Sequence, residues 1–191
     1  MYTRKSILKR INNVVHNLPD NLGLLIFDAF RTKETQRDIF NRFQLEIIKN
    51  KPHLSDEQLH QEVRKFAAHP DEPSRFAVPP HNSGGSIDLA LYDINTQQQL
   101  DFGSDFDDMT VVSATDYFEN NIKNTNFSIT RTNIVKINRR ILYHAMTSQG
   151  FVNFENEWWH YSLGDCLWAQ MLNLDWYYLS LEQEVLKIMG D

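Results

Sequence analysis

His81-Asn82-Ser83-Gly84-Gly85-Ser86-Ile87-Asp88-Leu89-Ala90-Leu91-Tyr92 reads as a turn that feeds a strand. From Ser86 to Tyr92 the residues alternate, with Ile87, Leu89 and Leu91 on one side and Asp88, Ala90 and Tyr92 on the other. That is the two-residue period of a strand with one packed face. Asp88 then points away from the aliphatic face, toward whatever His81 lines. Gly84-Gly85 lets the intervening turn fold the histidine back beside the strand that carries the aspartate.

Around this strand the chain supplies helices. Ile7, Leu8, Ile11, Val14 and Val15 recur at three- and four-residue intervals and predict an amphipathic helix over residues 3–16, ending before Pro19. The apolar run Leu24-Leu25-Ile26-Phe27, flanked by Gly23 and Asp28, is too short for a helix, so residues 22–30 read as a buried strand with Arg31 where it finishes. A second helix follows over 33–49, with Ile39, Phe40, Phe43 and Ile47 on one stripe. Ser55-Asp56-Glu57-Gln58 is a capping box opening a third helix, whose apolar face uses Leu59, Val63 and Phe66.

Four prolines between Pro70 and Pro80 predict an ordered loop that delivers His81. Residues 95–108 read as a polar loop. A helix is expected over 131–149, with Ile134, Ile137, Ile141, Leu142 and Met146 inward and Gly150 as the stop. Residues 151–162 read as extended and aromatic, and 180–189 as a short terminal helix. The expected architecture is α+β: a single domain over residues 1–191, with a small antiparallel sheet and flanking helices.

Composition narrows the function. A net charge of −6 lacks the clustered Lys and Arg that a nucleic-acid grip requires, so nucleic acid is not an expected partner. Arg4, Lys5, Lys9 and Arg10 alternate with apolar residues at helical spacing and read as a solvated helix face. The single cysteine, Cys166, excludes an internal disulfide and a multi-cysteine zinc site, and reads as a small buried hydrophobe. No window approaches the roughly 20 apolar residues that span a bilayer, so no membrane role is expected. The first residues lack a secretory apolar core, which leads us to expect a cytoplasmic location. Nothing in the sequence bears on oligomeric state.

The chemistry lies in His81, Asp88 and the distant quartet Glu157-Trp158-Trp159-His160. A catalytic zinc needs three N/O protein ligands and one open position. His81, Asp88 and His160 supply that set, one zinc per chain. Glu157, kept off the metal, would serve as general base and pass a proton to the leaving amine. Arg31 would stabilise an oxyanion or anchor a substrate carboxylate. Taken alone, the quartet equally fits an aromatic strand with incidental charges, and Asp88 a turn residue. His16, His53, His60, His69 and His144 are assigned no metal role, and Trp168, Trp176, Tyr177 and Tyr178 read as packing.

A resemblance bears on these alternatives. His81-x-x-Gly84-x-x-x-Asp88 followed by Glu157-x-Trp159-His160 resembles the signature of the VanX-type D-alanyl-D-alanine dipeptidases, zinc enzymes of the Hedgehog/DD-peptidase fold. Phe27-Asp28-Ala29-Phe30-Arg31 resembles the family's strand ending in its active-site arginine, and Leu100-Asp101-Phe102-Gly103-Ser104-Asp105-Phe106-Asp107 resembles its Asp-Met-Gly-Thr-x-Phe-Asp segment. Residues 138–142, continuing to Gly150-Phe151 and on to Tyr161, resemble the helix and strand that carry the last ligand. The resemblance spans roughly residues 20–165.

It implies zinc on His81, Asp88 and His160, Glu157 as base, Arg31 as transition-state stabiliser, and a free D,D-dipeptide substrate cleaved in the cytoplasm. The sequence departs from the pattern at Pro79, where the family usually has serine, and at Pro80; a proline supplies neither a hydroxyl nor a backbone N–H. Its lead-in to Arg31 is also shorter than the family's. A D,D-carboxypeptidase or endopeptidase acting on longer peptidoglycan stems is the alternative within the same chemistry. A binding protein that holds zinc without turnover is the alternative outside it.

Overall fold

In a computed structural model of the chain, residues 1–71, 78–120 and 126–190 are described. The architecture is α+β, with helices flanking a small, wholly antiparallel sheet. In chain order the elements are α1 (Lys5–Asn17), β1 (Leu22–Asp28), α2 (Lys33–Asn50), α3 (Asp56–Val63), a 3-10 turn (Pro80–Ser83), β2 (Ser86–Asp93) and β3 (Gln98–Gln99). A second 3-10 turn (Val111–Ser113) precedes α4 (Tyr117–Asn120), α5 (Ile129–Thr147), β4 (Val152–Asn153), β5 (His160–Ser162), α6 (Cys166–Met171) and α7 (Leu181–Gly190).

β2 is the centre of the sheet. One edge pairs with β1, and the other pairs with β5 at its start and β3 at its end; β4 extends the sheet beyond β5. Both faces of β2 are buried from Ser86 to Leu91, rather than the single face its alternation predicts. Ile87, Leu89 and Leu91 pack into the main core against Ile7, Ile11 and Val14 of α1 and Leu142 and Met146 of α5. Asp88 lies on the opposite face. β1 is less buried than its apolar run implies: Leu25 is exposed, and the strand stops at Asp28.

α2 and α3 form a hairpin with its own small core of Phe40, Phe43, Ile47, Leu59, Val63 and Ala67. The capping box at its tip is realised in both directions: Ser55 Oγ accepts from Gln58 N, and the Gln58 side chain accepts from Ser55 N. Phe66 belongs to this core but lies beyond the end of α3.

Three expectations need correction. Ile134 and Ile137 face solvent; the buried face of α5 instead uses Thr132, Val135, Asn138, Arg139, Leu142 and Met146. The inward polar residues bind backbone carbonyls of the preceding loop, a demand that hydropathy does not register. Residues 151–162 are two short strands around a turn, not one extended run. On α1, Leu8 and Val15 are exposed, and only Ile7, Ile11 and Val14 are buried. Most of the proline-rich loop before His81 lies outside the described residues.

Candidate metal centre

Each candidate ligand is delivered by a different backbone device. His81 sits in the 3-10 turn, which opens with Pro80 at its first position and closes at Gly84 with φ +70. Pro80 suits that start because its missing N–H has no partner to lose. A side chain at Gly84 would be strained by that φ, and its Cβ would stand 2.9 Å from Leu181 Cδ2. Asp88 and His160 are direct partners across the β2–β5 ladder.

At the other edge of β2 the β1 register shifts at Phe27, a bulge that puts Asp28 rather than Phe27 opposite Asp88. The chain then turns out of the sheet, and Arg31 reaches back: its Nε donates to Asp28 and its Nη2 donates to Asp88 Oδ2 at 3.2 Å. Arg31 N is bonded to the His81 carbonyl, and Asn82 Nδ2 donates to the Arg31 carbonyl at 2.6 Å. The ligand turn and the arginine are thus tied to each other through the backbone.

The three ligand atoms converge. His81 Nε2 lies 3.2 Å from Asp88 Oδ2, His160 Nδ1 lies 2.9 Å from Asp88 Oδ1, and the two ring nitrogens are 3.3 Å apart. Ligands about 2.0–2.2 Å from a tetrahedral ion stand about 3.3–3.6 Å from one another, so the spacing fits one cation with little adjustment. His81 Nδ1 donates to the Ala29 carbonyl at 2.6 Å, which leaves its Nε2 lone pair aimed at the shared point. All three residues are buried. The neighbouring imidazoles outweigh the cost of burial and hold Asp88 well below the usual carboxylate range. Burial opposes protonation of His160, but its bond to Asp88 prevails and raises it.

Glu157 stands beside the set, with Oε2 3.8 Å from His160 Nδ1. Burial pushes its carboxyl up to about 7, against the opposing pull of His160. It sits on a turn, not on a strand: Glu157 N is bonded to the Phe154 carbonyl and His160 N to the Glu157 carbonyl. Asn153 ties both ends of that turn, since its Nδ2 donates to the carbonyls of Glu157 and His160 at 3.0 Å each. Trp158 is buried under it, stacked on Phe102 with ring centroids 4.1 Å apart.

The five site residues of the sequence reading therefore meet, at the floor of a pocket of about 540 Å³. Its walls include Ile39, Phe43 and Phe66 of the α2–α3 hairpin, together with Pro79 and Pro80. Asp107 also lines it, as one carboxylate the sequence did not single out as chemical. Burial and the nearby Asp88 raise its pKa. Arg4, expected on a solvated face, is instead a half-buried tie: Nε donates to the Ser83 carbonyl at 2.7 Å and the guanidinium pairs with Glu184. Neither Asn153 nor Arg4 carries a sequence signal: Asn153 bonds carbonyls of an irregular turn that has no period, and Arg4 acts on backbone distant in sequence. Among the described residues no helix is long and apolar enough to cross a membrane.

Comparison with known proteins finds relatives over most of the chain. A D-alanyl-D-alanine dipeptidase of Synechocystis sp. (strain ATCC 27184 / PCC 6803 / Kazusa) is 28% identical over 181 residues, covering 89% of this chain and 72% of that protein. A D-alanyl-D-alanine dipeptidase of Enterococcus faecalis (strain ATCC 700802 / V583) is 29% identical over 155 residues, covering 79% and 67%. Another, of Enterococcus faecium, is 29% identical over 146 residues, covering 75% and 63%. The family profile described as D-ala-D-ala dipeptidase matches residues 3–177, nearly the whole chain, and so this chain belongs to that family of metallopeptidases.

Proposed function

We propose that this chain is a zinc-dependent dipeptidase that hydrolyses D-alanyl-D-alanine in the cytoplasm, with residues 1–191 forming one catalytic domain. The observation that carries the reading is the convergence of His81, Asp88 and His160 beside a carboxyl that is not needed as a ligand. Zinc held by those three side chains, with a position left open, would supply Lewis acidity and a water of lowered pKa. Glu157 takes the proton of the attacking water and delivers it to the leaving amine. Its carboxyl, 3.8 Å from His160 Nδ1 and not needed as a ligand, is placed for both halves of that task. Arg31, held in place by Asp28, presents its guanidinium to the oxyanion that forms at the scissile carbonyl. Asp107, on the pocket wall, is a carboxylate available to the substrate's ammonium group.

A second reading, hydrolysis of longer peptidoglycan stems, draws support from the size of the site. The main pocket adjoins a chamber of about 300 Å³ lined by Phe43, Phe66, Met109 and Val111, more room than two methyl side chains fill.

The test is a panel of D-Ala-D-Ala and longer stem peptides, assayed with and without chelator. We expect dipeptide cleavage that is lost with chelator and restored by zinc. Glu157→Gln should retain the metal but lose about 10²–10⁴-fold in kcat. Undiminished turnover by that variant would remove the proposed base, and cleavage confined to longer stems would select the second reading.

A further inference from the structure

Behind His160, on the side away from the pocket, lies a buried polar chain that the proposed reaction does not use. Ser86 and Ser162 are partners across the β2–β5 ladder, two residues from the partners Asp88 and His160. The two-residue period therefore puts all four side chains on one face. Ser162 Oγ lies 3.3 Å from His160 Nε2, Ser86 Oγ lies 3.2 Å from Ser162 Oγ, and Ser86 Oγ donates to Asp165 Oδ2 at 2.5 Å. Ser86, Ser162 and Asp165 are completely buried.

Asp165 also caps α6, its Oδ1 accepting from Trp168 N at 2.9 Å. A neutral serine or asparagine caps a six-residue helix as well as aspartate does. Capping alone therefore does not explain a buried carboxylate, which is costly to remove from water.

We infer that Asp165, acting through Ser86 and Ser162, is a positioning residue that fixes the ring of His160 for metal binding. The direction of the chain follows from its donors. A carboxylate only accepts, so Ser86 must donate to it. Ser86 then offers a lone pair to the Ser162 hydroxyl, which in turn offers a lone pair to His160 Nε2–H. The proton is thereby held on Nε2, and the Nδ1 lone pair is left facing Asp88 and His81. The Ala29 carbonyl does the same for His81 from the other side. Partners of this kind orient a ligating imidazole and raise its basicity, and losing one costs about 10–100-fold in metal affinity or activity.

The inference rests on the zinc reading of the site, so its test measures metal binding itself. Zinc dissociation constants would be obtained by chelator competition for the wild type, Ser162→Ala, Ser86→Ala and Asp165→Asn, alongside thermal unfolding of each metal-free protein. Ser162→Ala should weaken zinc about 10–100-fold. Ser86→Ala, which touches neither His160 nor α6, should weaken it in the same direction. Asp165→Asn should do likewise: its amide has one acceptor for two donors, so either Trp168 N or Ser86 loses its partner in each rotamer. Should Asp165→Asn fail to fold, Ser86→Ala interrupts the same chain. Serine variants that bind zinc as tightly as the wild type would overturn the inference. A wild-type protein that takes up no zinc would instead overturn the metal centre on which it rests.

Discussion

Replacing Arg139 with methionine separates two opposed effects whose sizes the structure sets. Arg139 is 4% exposed, and its guanidinium donates to the carbonyls of Phe102 at 2.8 Å, Val112 at 2.9 Å and Ala114 at 2.5 Å. Bonds from a charged donor contribute about 1.5–3 kcal/mol each, so the three together contribute about 5–9 kcal/mol. Burial opposes this by lowering the arginine to about 10, a cost of about 3 kcal/mol that methionine would not bear. The bonds win, and the net loss should be about 2–6 kcal/mol, a large part of the roughly 5–15 kcal/mol of a typical domain. The Phe102 and Val112 carbonyls have no second donor among the described residues, whereas Ala114 also receives Tyr117 N. The assay is denaturant unfolding of the metal-free protein at neutral pH. A loss below about 1 kcal/mol would refute the reasoning, because it would mean that water satisfies these carbonyls as well as the arginine does. Activity should fall too, since the loop so pinned carries Asp107 and presents the Ser113 carbonyl to Trp158 N.

Arg4→Ala should loosen the C-terminal segment, because one side chain joins the Ser83 carbonyl, the Leu179 carbonyl and the Glu184 carboxylate while covering the Tyr178 ring. We expect a stability loss of about 1–3 kcal/mol and faster proteolysis after residue 178, and a variant as resistant as the wild type would count against the tie. Cys166 should resist iodoacetamide at pH 8 in the folded protein and react promptly once unfolded. Burial pushes its thiol up to about 12, and its Sγ donates to the Val78 carbonyl; rapid labelling of the folded protein would contradict that environment.

The parts of this fold that were legible in the sequence are those whose signals are local. The Ser55 capping box, the stripe of α2 and the alternation of β2 each fall within a few residues, and each element forms where the pattern puts it. The inward face of α5 escapes the hydropathy pattern because it is partly polar: Asn138 and Arg139 face inward to serve loop carbonyls, displacing Ile134 and Ile137 to the surface. β4 and β5 were illegible for a related reason. Strands of two and three residues carry no period, and their placement depends on bonds from Asn153 to carbonyls on either side of the turn. The five candidate site residues stand out because His and Asp are zinc-ligand types and because the segments that carry them resemble the D-alanyl-D-alanine dipeptidases; their spacing alone leaves the bland readings open. Ser86, Ser162 and Asp165 do not stand out in the sequence, because serine and aspartate are ordinary until the β2–β5 ladder brings them together; Asp107 does not because it sits in a polar loop that only the fold lays against the pocket.

That ladder also explains how an apolar core can bring Asp88 and His160 together on one face. Asp88 and His160 face the site because their neighbours Ile87 and Tyr161, themselves ladder partners, are buried on the opposite face. Slipping β5 by one residue would send Tyr161 to the site and His160 into the core. It would forfeit about 1.5–3 kcal/mol for each large side chain so exposed and bury an imidazole among aliphatic groups. On β2's other edge the bulge at Phe27 makes the corresponding choice, placing Asp28 beside Asp88 so that the chain emerges with Arg31 within reach of both carboxylates. The alternation of β2 and the burial of Tyr161 thus fix where the candidate ligands Asp88 and His160 stand. The hydrogen bonds behind each imidazole then have only the ring orientation left to set.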